Sequence, residues 1–156
     1  MFKVGLIGPE SSGKSTLARY LAKRYNGIYV PEYAREYVEQ LNRPYTQADV
    51  ELIAHHQIDQ ISNIKYQISN INPVSFFDTE LIITKVWLLH KYGNCPQWLD
   101  DAIRAYPMDV YLLCAPDIPW IPDPTRENPD IRPFLFNWYE REIQSLNIPY
   151  YIIKHC

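Results

Sequence analysis

The sequence of 156 residues predicts one α/β domain in which a parallel β-sheet is flanked by helices. Short apolar runs of strand character alternate with segments of helical periodicity, and this alternation is typical of parallel sheets. A glycine-rich loop connects the first apolar run to the first helical segment, beginning at Gly8. Hydrophobic residues make up 47% of the chain, so a single domain of this length can bury a substantial core.

Five apolar runs are predicted to be strands, and six segments between or beside them are predicted to be helices. The strands are expected at about 2–7, 28–31, 73–77, 109–114 and 149–153. The helices are expected near 14–25, 32–42, 46–70, 79–91, 97–105 and 131–146. The third and fourth strands are almost continuously apolar, which suits strands that are covered on both faces of a sheet.

Two helix ends carry local signals in the sequence. Asn26-Gly27 follows the first helix, and we expect Gly27 to end it because glycine adopts the left-handed C-terminal conformation at little cost. Thr46, followed by Asp49 three residues later, resembles a capping box at the start of the third helix, with Asp in place of the usual Glu.

Residues 8–15 form a complete phosphate-binding loop of the pattern G-x-x-x-x-G-K-[ST]. An apolar strand precedes the loop and a helix follows it, which is the context that this motif requires. Backbone N–H groups and the helix N-terminus bind phosphate oxygens there, so the pattern predicts a P-loop NTPase fold with ATP and Mg²⁺ as ligands. We expect Lys14 to contact the β- and γ-phosphates and Ser15 to ligate Mg²⁺. The predicted nucleotide contacts are Gly8, Glu10, Ser11, Ser12, Gly13, Lys14, Ser15 and Thr16. The alternative is a glycine-rich turn that binds nothing.

A second Mg²⁺ ligand is predicted at Asp78, directly after the third apolar run. A phosphate-binding loop needs a carboxylate at the end of a neighbouring strand to hold the metal ion, directly or through water. The alternative is that Asp78 only caps the helix that follows it.

Two residues after the second strand are predicted to face the phosphate acceptor. Loops at the carboxyl ends of parallel strands line the ligand crevice, and Glu32 begins such a loop. We expect Glu32 to act as a general base or as a ribose ligand. Arg35 is one helical turn further on and is predicted to hold a phosphate or the Glu32 carboxylate. The alternative is a solvated helix start with an ordinary surface ion pair.

A long proline-rich segment at about 116–133 follows the fourth strand and is predicted to form a lid. Arg126 and Arg132 are predicted catalytic residues that close over the triphosphate and neutralise charge that develops during phosphoryl transfer. The alternative is an exposed loop with solvated arginines.

Composition limits the classes of partner. The net charge is −3 without a block of basic residues, so we expect no nucleic-acid partner. No apolar stretch approaches the ~20 residues that span a bilayer, so we expect no membrane partner. Three cysteines form no metal-binding pattern and no signal peptide precedes the first strand, so we expect a cytoplasmic protein. The sequence is compatible with a monomer and with a homo-oligomer.

Four segments resemble the ribosylnicotinamide kinase domain of bifunctional bacterial NAD-biosynthesis proteins. They are residues 8–16, 31–36, 78–79 and 116–120, in the order and spacing of that family, and the resemblance covers almost the whole chain. It implies ATP-dependent phosphorylation of the 5′-hydroxyl of nicotinamide riboside, giving nicotinamide mononucleotide. Analogy with nucleoside kinases implies the strand order 2-3-1-4-5.

The acceptor is the least determined part of this prediction. Tyr33, Trp87 and Trp120 are candidates to stack on a cationic pyridinium ring, because aromatic faces attract cations. The family's lid usually carries Asp-Gly-x-Arg, whereas this chain has proline at position 124, which cannot replace a glycine of positive φ. Three alternatives therefore stay open: a kinase for another nucleoside or small metabolite, a nucleotide-dependent regulatory protein, and an ATP-driven mechanical enzyme.

Overall fold

Five parallel strands form one sheet at the centre of the chain. The computed structural model describes residues 1–64, 74–117 and 131–154. The strands are β1 Phe2–Ile7, β2 Ile28–Val30, β3 Val74–Asp78, β4 Val110–Cys114 and β5 Tyr150–Ile153. The helices in these ranges are α1 Lys14–Arg24, α2 Tyr33–Glu39, α3 Gln47–Asn63, α4 Leu81–Tyr92, α5 Gln97–Ala105 and α6 Arg132–Ser145. None of the described helices is long and apolar enough to cross a membrane.

The strand order is β2-β3-β1-β4-β5, as predicted. β1 lies between β3 and β4, and Leu6 is in register with Asp78 on one side and Leu112 on the other. The carboxyl ends of β1 and β3 are therefore adjacent. This brings the segment after Ile7 next to Asp78, although some 70 residues separate them in the chain.

Helices cover the two faces of the sheet unequally. On one face, α1 packs Ala18 and Ala22 against Val4, Leu6 and Phe76. The opposite face carries the larger core, to which α3, α4, α5 and α6 contribute fully buried side chains. Within this layer, the buried hydroxyl of Thr84 on α4 donates to the side-chain carbonyl of Gln57 on α3 at 2.6 Å, which satisfies two polar groups that would otherwise be costly to bury.

Several predicted boundaries need correction. α2 ends at Glu39 rather than 42, and α3 ends at Asn63 rather than 70, with residues 65–70 outside the described part of the chain. Gly27 does not supply the left-handed residue after α1; Asn26 does, with φ 52°. Gly27 is required for another reason, because a Cβ there would lie 2.6 Å from the carbonyl oxygen of Val74. The predicted capping box of α3 is confirmed.

Candidate active site

The carboxyl ends of β1, β2 and β3 open into one cleft with a volume of about 1020 Å³. The phosphate-binding loop, the start of α2, the end of β3 and one face of α4 line it. The predicted site residues in this lining are Gly8, Glu10, Ser11, Ser12, Gly13, Lys14, Ser15, Thr16, Glu32, Arg35, Asp78 and Trp87. The fold therefore brings together residues from four separate segments of the sequence.

The phosphate-binding loop owes its shape to its two glycines. Gly13 has φ 84°, and Gly8 packs so closely against β4 that a Cβ would lie 2.7 Å from the carbonyl oxygen of Cys114. The Lys14 ammonium donates to the carbonyl oxygens of Gly8 and Pro9 at 2.8 and 3.1 Å. No side chain caps α1 and its first turn contains no acidic residue, so its N-terminal N–H groups and dipole suit an anion in the cleft.

Asp78 is almost fully buried, and its two carboxylate oxygens differ in their surroundings. One oxygen accepts a hydrogen bond from the Tyr29 hydroxyl at 3.0 Å. The other has no hydrogen-bond partner among the residues that the structure describes. A buried carboxylate oxygen without a partner is costly, and a cation is the ligand that offsets this cost best. The site therefore fits Mg²⁺ held by Asp78 and by Ser15, which also lines the cleft.

Asp78 and Ser15 by themselves would leave the coordination of Mg²⁺ incomplete. Within the described ranges, no three His, Cys, Asp or Glu residues cluster as a metal site, so Mg²⁺ would need phosphate oxygens and water to complete its coordination. Burial, followed by the charge and hydrogen bond of Asp78, raises the pKa of Tyr29 to about 12. Tyr29 consequently stays protonated and keeps donating to Asp78.

The alternative role of Asp78 as a helix cap is wrong. The N-cap of α4 is Glu80, whose carboxylate accepts from the backbone N–H of Ile82 at 2.8 Å. Burial raises the pKa of Glu80 to about 7. Between them, Thr79 has φ 73°, which is unusual for a β-branched residue and costs about 1–3 kcal/mol. This backbone strain lies beside the buried carboxylate.

Replacing Asp78 with asparagine is expected to raise the Mg²⁺ concentration for half-maximal turnover by about 10- to 100-fold, because the amide keeps the size but loses the charge that attracts the cation. Nucleotide binding without metal should change little. A Mg²⁺ titration of turnover measures the effect, with Asp101→Asn on the exposed surface of α5 as the control. An unchanged metal requirement would reduce Asp78 to a structural residue.

Glu32 lies in the cleft lining as a partly buried carboxylate. Burial is the main cause that raises its pKa above the ordinary value; Lys14 and Arg35 oppose this shift, whereas Asp78 and Glu10 add to it. The group is therefore a better proton acceptor than a solvated glutamate. Arg35 also lines the cleft, but its guanidinium Nε pairs with Glu39 at 3.2 Å, so the surface ion pair considered as an alternative is present as well.

The cleft lining also contains residues that sequence reasoning missed. Arg43 and Tyr45 from the α2–α3 connection and Lys91 from α4 line it beside Trp87. The indole Nε1 of Trp87 donates to the Tyr45 hydroxyl at 3.1 Å, and the two rings meet edge to face with centroids 5.0 Å apart. The Lys91 ammonium donates to the same hydroxyl at 2.6 Å. We call Tyr45, Trp87 and Lys91 the aromatic wall.

Asp49 anchors the connection that carries this wall. Its buried carboxylate accepts two hydrogen bonds from the Arg43 guanidinium, at 2.7 and 3.0 Å, and one from the Tyr37 hydroxyl at 2.7 Å. The backbone N–H of Thr46 donates to it at 2.7 Å. These donors, those of Arg43 first, hold the pKa of Asp49 well below its ordinary value. A single carboxylate thus ties α2, the connection and the start of α3 together on both sides of Tyr45.

Replacing Asp49 with alanine is expected to raise the KM for the acceptor by roughly tenfold or more, because Tyr45 loses its fixed position. The KM for ATP should stay within about twofold, since no donor to Asp49 belongs to the phosphate-binding loop. Steady-state kinetics with both substrates measure this split, with Asp59→Ala on an exposed position of α3 as the control. Equal increases in both KM values would indicate general loosening instead.

Four predicted residues do not line the described cleft. Tyr33 is not among the lining residues and stacks on His56, with ring centroids 3.6 Å apart. Arg132 begins α6 and is not part of the lining, although Leu135 and Tyr139 of the same helix are. Trp120 and Arg126, with most of the predicted lid at 116–133, lie outside the described residues.

Comparisons with known proteins agree with this geometry. Residues 3–156 match the family described as AAA domain. The chain is 30% identical over 129 residues to the trifunctional NAD biosynthesis/regulator protein NadR of Salmonella typhimurium, and equally to that of Escherichia coli. Each match covers 79% of this chain and 30% of the relative, so the chain spans less than a third of their length.

Solved structures of similar fold include two of NadR. One, in complex with NR, superposes with a TM-score of 0.80 at 25% identity and covers 97% of this chain and 45% of that one. The other, in complex with NAD and AMP-PNP, has a TM-score of 0.78 at 24% identity and covers 99% and 44%. Thymidylate kinase from Ehrlichia chaffeensis has a TM-score of 0.62 at 14% identity and covers 98% and 86%. The fold is that of P-loop kinases.

Proposed function

The chain belongs to the family described as AAA domain, and from this membership and its P-loop kinase fold we propose that it transfers the γ-phosphate of ATP to the 5′-hydroxyl of a nucleoside. The acceptor that we propose is nicotinamide riboside, with nicotinamide mononucleotide as the product. The NadR relatives are named for NAD biosynthesis, and one solved NadR structure contains NR.

One observation carries the proposal. The same cleft is lined by a phosphate-binding loop, by a buried carboxylate, Asp78, by a second carboxylate, Glu32, and by the aromatic wall. A protein that only binds nucleotide needs the loop and its metal ligand. Such a protein does not need the Glu32 carboxylate with its raised pKa, nor a cleft with room for a second molecule beside the nucleotide. This combination favours a kinase over a regulatory binding protein.

The residues divide the chemistry between two sides of the cleft. Loop N–H groups, the α1 N-terminus and Lys14 would bind the triphosphate and offset negative charge as the γ-phosphoryl group moves. Mg²⁺ bound by Ser15 and Asp78 would supply further positive charge to the phosphate oxygens. Glu32 would orient the acceptor hydroxyl and take its proton as the new P–O bond forms.

The ring of the nucleoside would pack on the aromatic wall. Trp87 supplies a flat, electron-rich face, and its indole is held in place through Tyr45. A cationic pyridinium ring gains from such a face. Pro31 and Ala34, which are close to Glu32 in the sequence, also line the cleft and would add apolar surface for the nucleoside.

A panel of nucleosides tests the proposal directly. The protein is incubated with ATP and Mg²⁺ and one nucleoside at a time, ADP release is followed, and the product is identified by mass. We expect nicotinamide riboside to gain one phosphate and to give the highest kcat/KM. Phosphorylation of a different nucleoside alone would correct the acceptor and keep the kinase. ATP binding without transfer to any acceptor would favour the nucleotide-dependent regulatory protein.

A further inference from the structure

The hydroxyl group of Tyr29 is not needed for the packing of its ring. The side chain packs against the core between α1 and the sheet, and an apolar ring alone could fill that role. The hydroxyl instead donates to Asp78, the carboxylate that fits Mg²⁺. We infer that Tyr29 is a positioning residue that makes Asp78 a one-oxygen ligand and thereby favours Mg²⁺ over the larger Ca²⁺. This inference rests on the proposed function only for the binding of ATP with a metal ion and does not depend on the acceptor.

The sheet places Tyr29 and Asp78 on the same face. β2 and β3 pair in register, so that Tyr29 lies beside Phe76. Side chains alternate between the two faces along a strand, so Asp78, two residues beyond Phe76, points to the same face as Phe76. This is the face that α1 covers. A tyrosine side chain is long enough to reach along this diagonal, and its hydroxyl lies 3.0 Å from Oδ2 of Asp78.

This hydrogen bond gives the two oxygens of Asp78 different tasks. Oδ2 accepts from Tyr29, whereas Oδ1 has no partner in the described part of the chain. Rotation of the carboxylate about its Cβ–Cγ bond would break the bond to Tyr29. Since Asp78 is only 1% exposed, the rotation would leave a second buried oxygen unpaired, which is costly. Tyr29 therefore holds the carboxylate in the orientation that leaves Oδ1 for a cation.

Ligation through one carboxylate oxygen suits a small cation. Mg²⁺ requires near-ideal octahedral geometry and is usually bound through few carboxylate oxygens, with water and phosphate oxygens in the other positions. Ca²⁺ takes more oxygens in a more flexible geometry and can bind both oxygens of one carboxylate. A hydrogen bond that engages Oδ2 therefore disfavours Ca²⁺ more than Mg²⁺.

Helix α1 also contacts the positioning residue. The Arg19 guanidinium lies over the Tyr29 ring, 5.8 Å from its centroid. Arg19 follows Ser15 by four residues, so the two share one face of α1, and both line the cleft. The helix that carries Ser15 and the strand that carries Asp78 thus both bear on Tyr29, which lies on a third element, β2.

Nucleotide binding without an acceptor tests the inference. We would measure the Kd for AMP-PNP by calorimetry with Mg²⁺, with Ca²⁺ and with EDTA, in the wild type and in Tyr29→Phe. The gain from each metal is the ratio of the Kd in EDTA to the Kd with that metal. In Tyr29→Phe, the gain from Mg²⁺ should fall by about tenfold, the lower end of the range for loss of a group that orients a metal ligand. The gain from Ca²⁺ should fall less, and the Kd in EDTA should not change.

Two further variants calibrate this measurement. Tyr20→Phe removes the same hydroxyl from an exposed position of α1 outside the cleft lining, and it should keep both gains. Asp78→Asn should lower the gains from both metals, because the charge itself is lost. The thermal unfolding temperature of each variant shows whether the fold survives.

The contrary outcomes can be told apart. If Tyr29→Phe keeps the gain from Mg²⁺, or loses the two gains equally, the role of Tyr29 in metal choice is overturned and the proposed function stands. A weaker affinity in EDTA as well would indicate general loosening of the site and would also overturn that role. If the wild type gains affinity from neither metal, the metal site at Asp78 falls, and the inference falls with it. The acceptor is tested separately in the nucleoside panel, so a wrong acceptor leaves this result intact.

Discussion

Replacing Lys14 with alanine is expected to lower kcat by at least about 10²- to 10³-fold while the fold survives. That range is typical for removal of one preorganised group that stabilises transition-state charge. The Lys14 ammonium donates to backbone oxygens of its own loop, at Gly8 and Pro9, and Lys14 is not a member of either hydrophobic core cluster. Initial rates at saturating ATP and acceptor measure the loss of catalysis, and the thermal unfolding temperature shows whether the fold survives.

The matched control is Lys23→Ala, which removes the same charge from the exposed last turn of the same helix. It should keep full activity. A Lys14→Ala protein with full activity and a normal unfolding temperature would contradict the assignment of the loop as the phosphate site. The variant makes a second prediction as well: Lys14 lowers the pKa of Glu32, so its loss should move the acidic limb of the pH–rate profile to higher pH.

Replacing Glu32 with glutamine is expected to lower kcat, or to raise the acceptor KM, by about 10²- to 10⁴-fold, with near-normal ATP affinity. The amide keeps the shape of the side chain and removes both the proton acceptor and the negative charge. The lower end of this range is expected if the transition state is loose, because the attacking hydroxyl then needs less help from a base.

The pH dependence of kcat/KM is an independent test of Glu32 as the general base. Burial raises the pKa of Glu32, so the carboxyl group stays protonated to higher pH than a solvated glutamate. A base must be ionised to act, so kcat/KM in the wild type should fall as the pH drops through this raised pKa. In Glu32→Gln that limb should disappear. Equilibrium binding of ATP should be equal in both proteins.

Two results would contradict this assignment. Loss of ATP binding in Glu32→Gln, with intact acceptor kinetics, would move the acceptor site away from the end of β2. Full activity with an unchanged acidic limb would assign the proton transfer to another group. Glu51→Gln is the matched control, because this carboxylate lies on α3 and is not part of the cleft lining.

The fold and the nucleotide half of the site follow from local patterns. The strand–loop–helix at residues 2–24 is a contiguous motif, and each residue type in it has a local physical reason, such as the positive φ of Gly13. The position of Asp78 can also be predicted from the local sequence, because a buried apolar run ends there and parallel strands end at the same edge of a sheet. The order of the strands came from analogy with nucleoside kinases, and the structure confirms it.

Two predicted helix ends were wrong, at the end of α1 and at the start of α4. Asn26 rather than Gly27 adopts the left-handed conformation, because asparagine tolerates it and glycine is needed one residue later to let β3 approach. Glu80 rather than Asp78 caps α4: the helix begins at Leu81, and Thr79, between the two carboxylates, has a positive φ. Neither choice is visible in a pattern of residue types.

The sequence by itself determined the fold class, the phosphate-binding loop and the positions of Asp78 and Glu32 at strand ends. Only the tertiary structure decided how the aromatic wall and the surroundings of Asp78 are assembled. Tyr45 meets Trp87 and Lys91 across 42 and 46 residues, and Tyr29 meets Asp78 across 49. Tyr33, predicted as a candidate to stack on the ring of the acceptor, stacks on His56 instead. The reason is that hydrogen bonds and ring contacts between distant segments depend on how helices pack on the sheet, and periodicity within one segment carries no information about that packing.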